Sequence, residues 1–241
     1  IIGIQETKVN DPEFPVDEIK EIGYHPEYWG QKGHYGVAIL SKKKPLEVQK
    51  GFIKDTADDQ KRFIQAKFKW GKQSIVIMNG YFPQGENRSH ETKFPKKIKY
   101  YADLKKHIKK TQKTEKNVIV MGDFNVAPSP LDIGIGEANA KRWLREGKTA
   151  FLPEEIDMWN SIAKLGFTDS WREQHPKEDS TYSWFDYRSR MFDDTPKRGL
   201  RIDHILVSEH MKIYIKETGI DYIARGMEKP SDHCPVWVEL K

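Results

Sequence analysis

The chain has 241 residues, with 41 Lys+Arg against 36 Asp+Glu, a net charge of +5, and 37% hydrophobic and 32% charged residues. Seven Trp, ten Tyr and eleven Phe supply bulky core material, which excludes disorder as a description of the whole. No run approaches the ~18 apolar residues a membrane helix needs. The one cysteine, Cys234, cannot form an internal disulfide, which fits a reducing, cytoplasmic compartment.

Apolar runs at 1–4, 35–40, 63–68, 74–78, 118–121, 200–207 and 236–240 read as strands, several apolar on both faces as in covered sheets. A short helix is predicted from about 16 to 22, closed by Gly23. Phe94, Ile98, Tyr101, Leu104 and Ile108 recur at spacings of 3 and 4 and define a helix face, with Pro95 in the first turn. Lys96, Lys97, Lys99, Lys105, Lys106, Lys109 and Lys110 fall on its other faces, as on an ordinary solvated helix. A further helix runs from about 154 to 165, with Ile156, Trp159 and Ile162 inward and Gly166 closing it. No repeat or long Pro/Gly/Ser linker interrupts the series, so one layered α/β domain over 1–241 is expected.

The chemistry gathers where these strands end. Gln5-Glu6-Thr7-Lys8 follows the first, Asn79-Gly80-Tyr81 the fourth, and Gly122-Asp123-Phe124-Asn125 the fifth. Arg201-Ile202-Asp203-His204 and Ser231-Asp232-His233-Cys234 accompany the last two. Any one of these is an ordinary turn or strand terminus. Five together suggest convergence on one rim. There Glu6, Asp123, Asp203 and Asp232 would repel one another unless a hard divalent cation lay among them. Asn79, Tyr81 and Asn125 add neutral donors for phosphate oxygens, and an Asp with His233 supplies an orienter and an imidazole. Strand alternation turns His204 away from the side of Asp203, so His204 is read as structural. The set suits metal-assisted hydrolysis of a phosphate ester.

These motifs, in this order, resemble those of the exonuclease III family of DNA repair nucleases, within the endonuclease/exonuclease/phosphatase superfamily. The segments 30–38, 131–137, 183–189 and 219–222 extend the likeness over the whole chain. The resemblance implies a four-layered α/β sandwich of two facing mixed sheets, and Mg²⁺- or Mn²⁺-dependent cleavage of DNA 5′ to abasic sites. It also implies 3′→5′ exonuclease activity on duplex DNA, 3′-phosphatase activity, and a monomer. Carried onto this sequence, Glu6 is a metal ligand and Asp123 the acid/base residue. Tyr81 and Asn125 contact the scissile phosphate, Asp203 orients His233, and Asp232 joins the metal-linked carboxylates. Asn125 and His233 also fall within the implied metal environment. Trp184, Leu200 and Ile202 are expected to form an apolar pocket for a base-less sugar, and Phe185 to contact DNA beside it. Asn79, Lys8, Lys32, Arg88, Arg142 and Arg188 are expected to meet DNA, with Lys141 a further basic candidate beside Arg142. The family has a strand ahead of Glu6 whose Asn joins the site, and nothing in this sequence fills that place. The chain is therefore expected to be N-terminally incomplete. The alternatives are a superfamily phosphatase for inositol phosphates and a catalytically impaired DNA-binding fragment.

Overall fold

The computed structural model describes residues 1–56 and 59–241, which divide into two compact units. One comprises 1–82 and 103–123, the other 83–102 and 124–241.

The first unit opens with strand β1 (Ile2–Gln5) and helix α1 (Val16–Glu21), followed by β2 (His25–Trp29) and β3 (Val37–Ser41). The three strands form an antiparallel sheet in the order β1-β3-β2, with Ile4 opposite Ala38. Next come β4 (Glu47–Lys50), β5 (Phe63–Trp70), β6 (Gln73–Tyr81) and β7 (Val118–Asp123). β4-β5 and β5-β6 are antiparallel and β6-β7 is parallel, so this sheet is mixed, and its register sets Tyr81 opposite Asp123. The central residues of β3, β6 and β7 are buried, as their near-continuous Val/Ile runs predict.

The two sheets of this unit approach closely at Gly3. A Cβ there would lie 2.6 Å from the Met121 methyl and 2.8 Å from Asn79 Oδ1, so a larger residue would displace Met121 and press on the hydrogen-bonded Asn79 amide. Gly122 is required for another reason. Its φ is +134°, and a Cβ would sit 2.0 Å from the Gly80 carbonyl oxygen, where β7 turns into Asp123.

Helix α2 (Lys93–Thr111) contributes residues to both units. Its predicted face is largely observed, with Phe94, Tyr101, Leu104 and Ile108 buried, and two positions differ. Ile98 is 46% exposed, whereas Lys97, assigned above to solvent, is 0% exposed. The buried line is therefore 94-97-101-104-108, with Lys97 in the place assigned to Ile98, because Lys97 finds an internal ion-pair partner.

The second unit holds helices α3 (Glu137–Glu146), α4 (Pro153–Ala163), α5 (Ser170–Gln174) and α6 (Tyr222–Arg225). It also holds antiparallel pairs of β8 (Phe167–Asp169) with β9 (Asp203–Ser208) and β10 (Ile215–Ile220) with β11 (Val236–Leu240). The strand predicted from 200 begins at Asp203, with Leu200 held instead by isolated bridges to Ile133 and Trp184. β2, β4, β8 and β10 were not predicted. They are short or strongly polar, so alternation within them is too brief to register. No helix among the described residues is long and apolar enough to cross a membrane.

Candidate active site

In the first unit, the chain leaves β1 through Glu6 and Lys8 in left-handed conformations (φ 53° and 59°). Tyr81, at the end of β6, donates its hydroxyl to Glu6 Oε1, while Lys8 Nζ lies 2.8 Å from Glu6 Oε2. Arg62, unmarked in the sequence reading, stacks over the Tyr81 ring at 4.5 Å and donates to its carbonyl. Burial, the hydrogen bond to Glu6 and the charges of Asp123 and Glu6 push the Tyr81 phenol far above its ordinary value, against the opposite pull of Arg62. Tyr81 is thus a neutral phenol, a hydrogen-bond donor, throughout the physiological range. Two carboxylates bear on this one hydroxyl, and Asp123 itself is only 5% exposed. Oxygen donors so crowded suit a hard cation.

Asn79 departs from expectation. Expected to face DNA, it is fully buried: its amide N–H groups donate to the Ile4 and Ala38 carbonyls at 3.0 and 2.9 Å, and its oxygen accepts from Gln5 at 2.6 Å. It ties β6 to β1 and β3, which is a structural role.

In the second unit, Asp203 at the head of β9 accepts from His233 Nδ1 at 2.9 and 3.1 Å through its two oxygens. Ser183, also unmarked in the sequence, donates to Asp203 Oδ2 at 2.6 Å and accepts from the Ile202 and Asp203 N–H groups at 3.1 Å. Its hydroxyl therefore fixes carboxylate and backbone together. Asp232 Oδ2 accepts from Trp184 Nε1 at 3.0 Å, and its carbonyl accepts from the Phe185 N–H at 3.0 Å. Asn125 is buried and left-handed (φ 52°). Behind Asp203 lies a buried charge network, in which Arg201 donates to Asp132 and Asp169, each at 2.7 Å. His204 does turn inward, its Nε2 2.8 Å from the Val126 carbonyl oxygen.

The expected apolar pocket is divided. Phe185, Leu200 and Ile202 are core residues, 0%, 1% and 4% exposed, packed with Ile135, Tyr182 and Cys234. Phe185 is correspondingly misassigned as a DNA contact, and Leu200 and Ile202 present no open lining. Trp184 remains half-buried and Arg188 exposed. Burial and the nearby Asp203 charge push the Cys234 thiol up to about 12, so it is inert. Among the basic candidates, Lys32 and Arg142 are exposed, and Arg142 donates to Asn139. Arg88 is held bidentate by Glu154, which offsets its charge, and Lys141 pairs with Glu137 at 2.5 Å.

A buried carboxylate with its half-buried imidazole, and a carboxylate-crowded phenol, on a mixed α/β frame suit a hydrolase of phosphate esters. The model of the Endonuclease/Exonuclease/phosphatase family matches residues 1–233, and the chain belongs to that family. It is 50% identical over 241 residues to exodeoxyribonuclease III of Haemophilus influenzae, covering all of this chain and 90% of that protein. It is 30% identical over 239 residues to an exodeoxyribonuclease of Bacillus subtilis, covering 98% and 86%. Among solved structures, the 3′ phosphatase NExo from Neisseria bound to a product DNA hairpin superposes with TM-score 0.90 at 33% identity, covering 99% of this chain and 88% of that one. An AP endonuclease from Archaeoglobus fulgidus gives TM-score 0.86 at 31% identity, covering 99% and 88%. The layered α/β fold is thereby that of the exonuclease/endonuclease/phosphatase enzymes, and the chain is a phosphodiester hydrolase.

Proposed function

We propose that the chain is a DNA repair nuclease that cuts duplex DNA 5′ to abasic sites, digests it 3′→5′ and removes 3′ phosphates. In this reading the motif residues of both units serve one catalytic domain. The observation that carries it is local. Asp123 is bonded to Phe124, whose N–H donates to the Ile202 carbonyl at 2.9 Å, and Ile202 is bonded to Asp203, which holds His233. Within the second unit, one hydrogen bond thus ties the residue that follows Asp123 to the residue that precedes Asp203.

In this reading Glu6, Asp123 and Asp232 supply the hard oxygen donors that Mg²⁺ or Mn²⁺ prefers. When bound, such a cation offsets phosphate charge and lowers the pKa of water. The protein's own groups do the rest. Asp203 engages Nδ1 and so assigns proton handling or charge stabilisation to His233 Nε2. Tyr81, kept neutral, supplies an O–H and Asn125 an amide N–H for phosphate oxygens, and Asp123 takes the acid/base role. Lys8, Lys32, Arg142 and Arg188 meet the backbone of duplex DNA, and Trp184 meets the sugar at the abasic site. The partner is DNA, and the enzyme acts as a monomer in the cytoplasm.

The test is nicking of a duplex with one abasic site, against an inositol polyphosphate as competing substrate. EDTA should abolish nicking, Mg²⁺ should restore it, and Asp123→Asn should cost about 10²–10⁴-fold in kcat. Nicking that survives EDTA, an unaffected Asp123→Asn, or phosphate release from the inositol compound alone would overturn the reading.

A further inference from the structure

Where β7 ends, the backbone of 124–126 leaves the sheet, and each carbonyl it carries inward must find a donor. All three find side chains. Tyr101 donates its hydroxyl to the Phe124 oxygen at 2.8 Å, Lys97 donates to the Asn125 oxygen at 2.9 Å, and His204 Nε2 lies 2.8 Å from the Val126 oxygen. Lys97 and Tyr101 are four residues apart on α2, hence stacked on one helix face. One helix face therefore addresses two consecutive carbonyls.

Lys97 is an unusual residue for this task. A fully buried ammonium is strongly disfavoured unless every donor is matched. Its three donors meet three acceptors: Glu155 Oε1, the Asn125 carbonyl, and the Gln84 carbonyl at 3.2 Å. Glu155 is likewise 0% exposed, and its other oxygen accepts from the Ala150 and Leu152 N–H groups at 2.8 and 2.9 Å. The countercharge is thereby fixed to the start of α4. Stability alone does not call for this arrangement, since apolar side chains of similar volume usually replace a buried ion pair at no loss. What the ammonium adds is direction. Asn125 is left-handed, a backbone state that asparagine adopts more readily than other non-glycine residues, and the carbonyl it presents there is the one Lys97 holds.

We propose that Lys97 and Tyr101 act as a carbonyl clamp that sets the backbone, and hence the side-chain aim, of Asn125, with Glu155 holding Lys97 in place. They are positioning residues, distant in sequence from the motifs. The inference rests on the reading of Asn125 as a phosphate contact.

The experiment is a double-mutant cycle on cleavage of an abasic-site duplex, with thermal unfolding measured on every variant. Lys97→Met/Glu155→Gln removes the ammonium with its countercharge and leaves an amide oxygen for Ala150 and Leu152. Tyr101→Phe removes one hydroxyl and serves as the second probe if the first variant does not fold. The Lys97→Met/Glu155→Gln variant should lower kcat by about 10- to 100-fold with little change in KM, as expected for a misaimed group. Tyr101→Phe should lower it several-fold. Placed on Asn125→Ala, either change should cost less than about twofold more, because the group they aim is gone. Folded variants with wild-type kcat, or losses that multiply in full with Asn125→Ala, would overturn the clamp. Wild-type cleavage by Asn125→Ala alone would instead refute the role of Asn125, a separate outcome.

Discussion

Arg201→Met is the sharpest probe of how the second unit is held. Arg201 is 1% exposed, and it donates to Asp132 and Asp169 at 2.7 Å each, with His204 Nδ1 3.0 Å from its guanidinium. Asp132 has a second cation, Arg172, at 2.5 Å, so it survives the loss. Among the described residues, Asp169 then keeps the α5 N-terminal amides of Trp171 and Arg172 and the His204 ring at 3.6 Å. One nearly uncompensated buried carboxylate remains, and breaking such a pair costs about 3–5 kcal/mol. For a chain of this size that is about 6–20 °C in Tm. The pH dependence carries a sign. Burial pushes the Asp169 carboxyl up, and the charges of Arg201 and His204 more than offset it, holding the group well below the usual carboxylate range. A depressed carboxylate contributes stability that is complete above its unfolded pKa of about 4 and is lost as pH falls through the folded value. The Arg201→Met deficit should therefore be largest near pH 7 and shrink below pH ~4. Asp169→Asn in the same chain should recover about 1–3 kcal/mol relative to additivity. Thermal unfolding across pH reads all three quantities. A deficit under about 3 °C, or one constant from pH 7 to pH 3, would refute this account of the network.

Two other perturbations test neighbouring regions. Ser183→Ala removes a donor to Asp203 and leaves the Ile202 and Asp203 N–H groups without their acceptor. It should destabilise by about 1–3 kcal/mol and lower kcat on an abasic duplex, both read on one preparation; unchanged kcat in a folded variant would show that Asp203 needs no such support. In the first unit, His107 packs edge-on to Phe63 at 5.1 Å with Nε2 2.8 Å from Gln65, and burial, with the charge of Lys110, pushes its ring down to about 4. The folded state thus resists the proton that the unfolded state accepts, so stability is complete above pH ~6.5 and declines towards pH 4 by about 3 kcal/mol. His107→Gln should flatten that slope in urea unfolding, and a slope equal to wild type would exclude His107 as its source.

The strand ends were legible because apolar runs that stop at Gly, Asp or Asn mark both a turn and a rim, as at Gly122-Asp123 and Asn79-Gly80-Tyr81. What those residues do after the turn was less legible. Asn79 and Phe185 lie within motif segments yet face inward, since a motif fixes residue type and not whether the strand or loop that carries it turns the side chain to solvent. Lys97 was misread for a different reason. Helical periodicity assigns charge to solvent by default, and its partner Glu155 lies 58 residues away, beyond any window that periodicity inspects. Ser183 and Arg62 were overlooked because a serine and an arginine carry no signal until their partners, Asp203 and Tyr81, are placed in space.

The buried ion pairs share a placement that explains why buried charge persists here. Arg201 with Asp132 and Asp169 lies two residues before Asp203, and Lys97 with Glu155 holds the carbonyl of Asn125. An apolar layer behind either position would stabilise equally well, but dispersion is non-directional, and side chains slide against it at little cost. A buried ion network has no such latitude, because a shift of a few tenths of an ångström leaves a donor or a carboxylate oxygen unmatched at a cost of a kcal/mol or more. Misplacing a reacting group by about an ångström is worth some 10²-fold in rate. The charges therefore sit where positional tolerance is smallest, one hydrogen bond behind Asn125 and two residues before the carboxylate that orients His233.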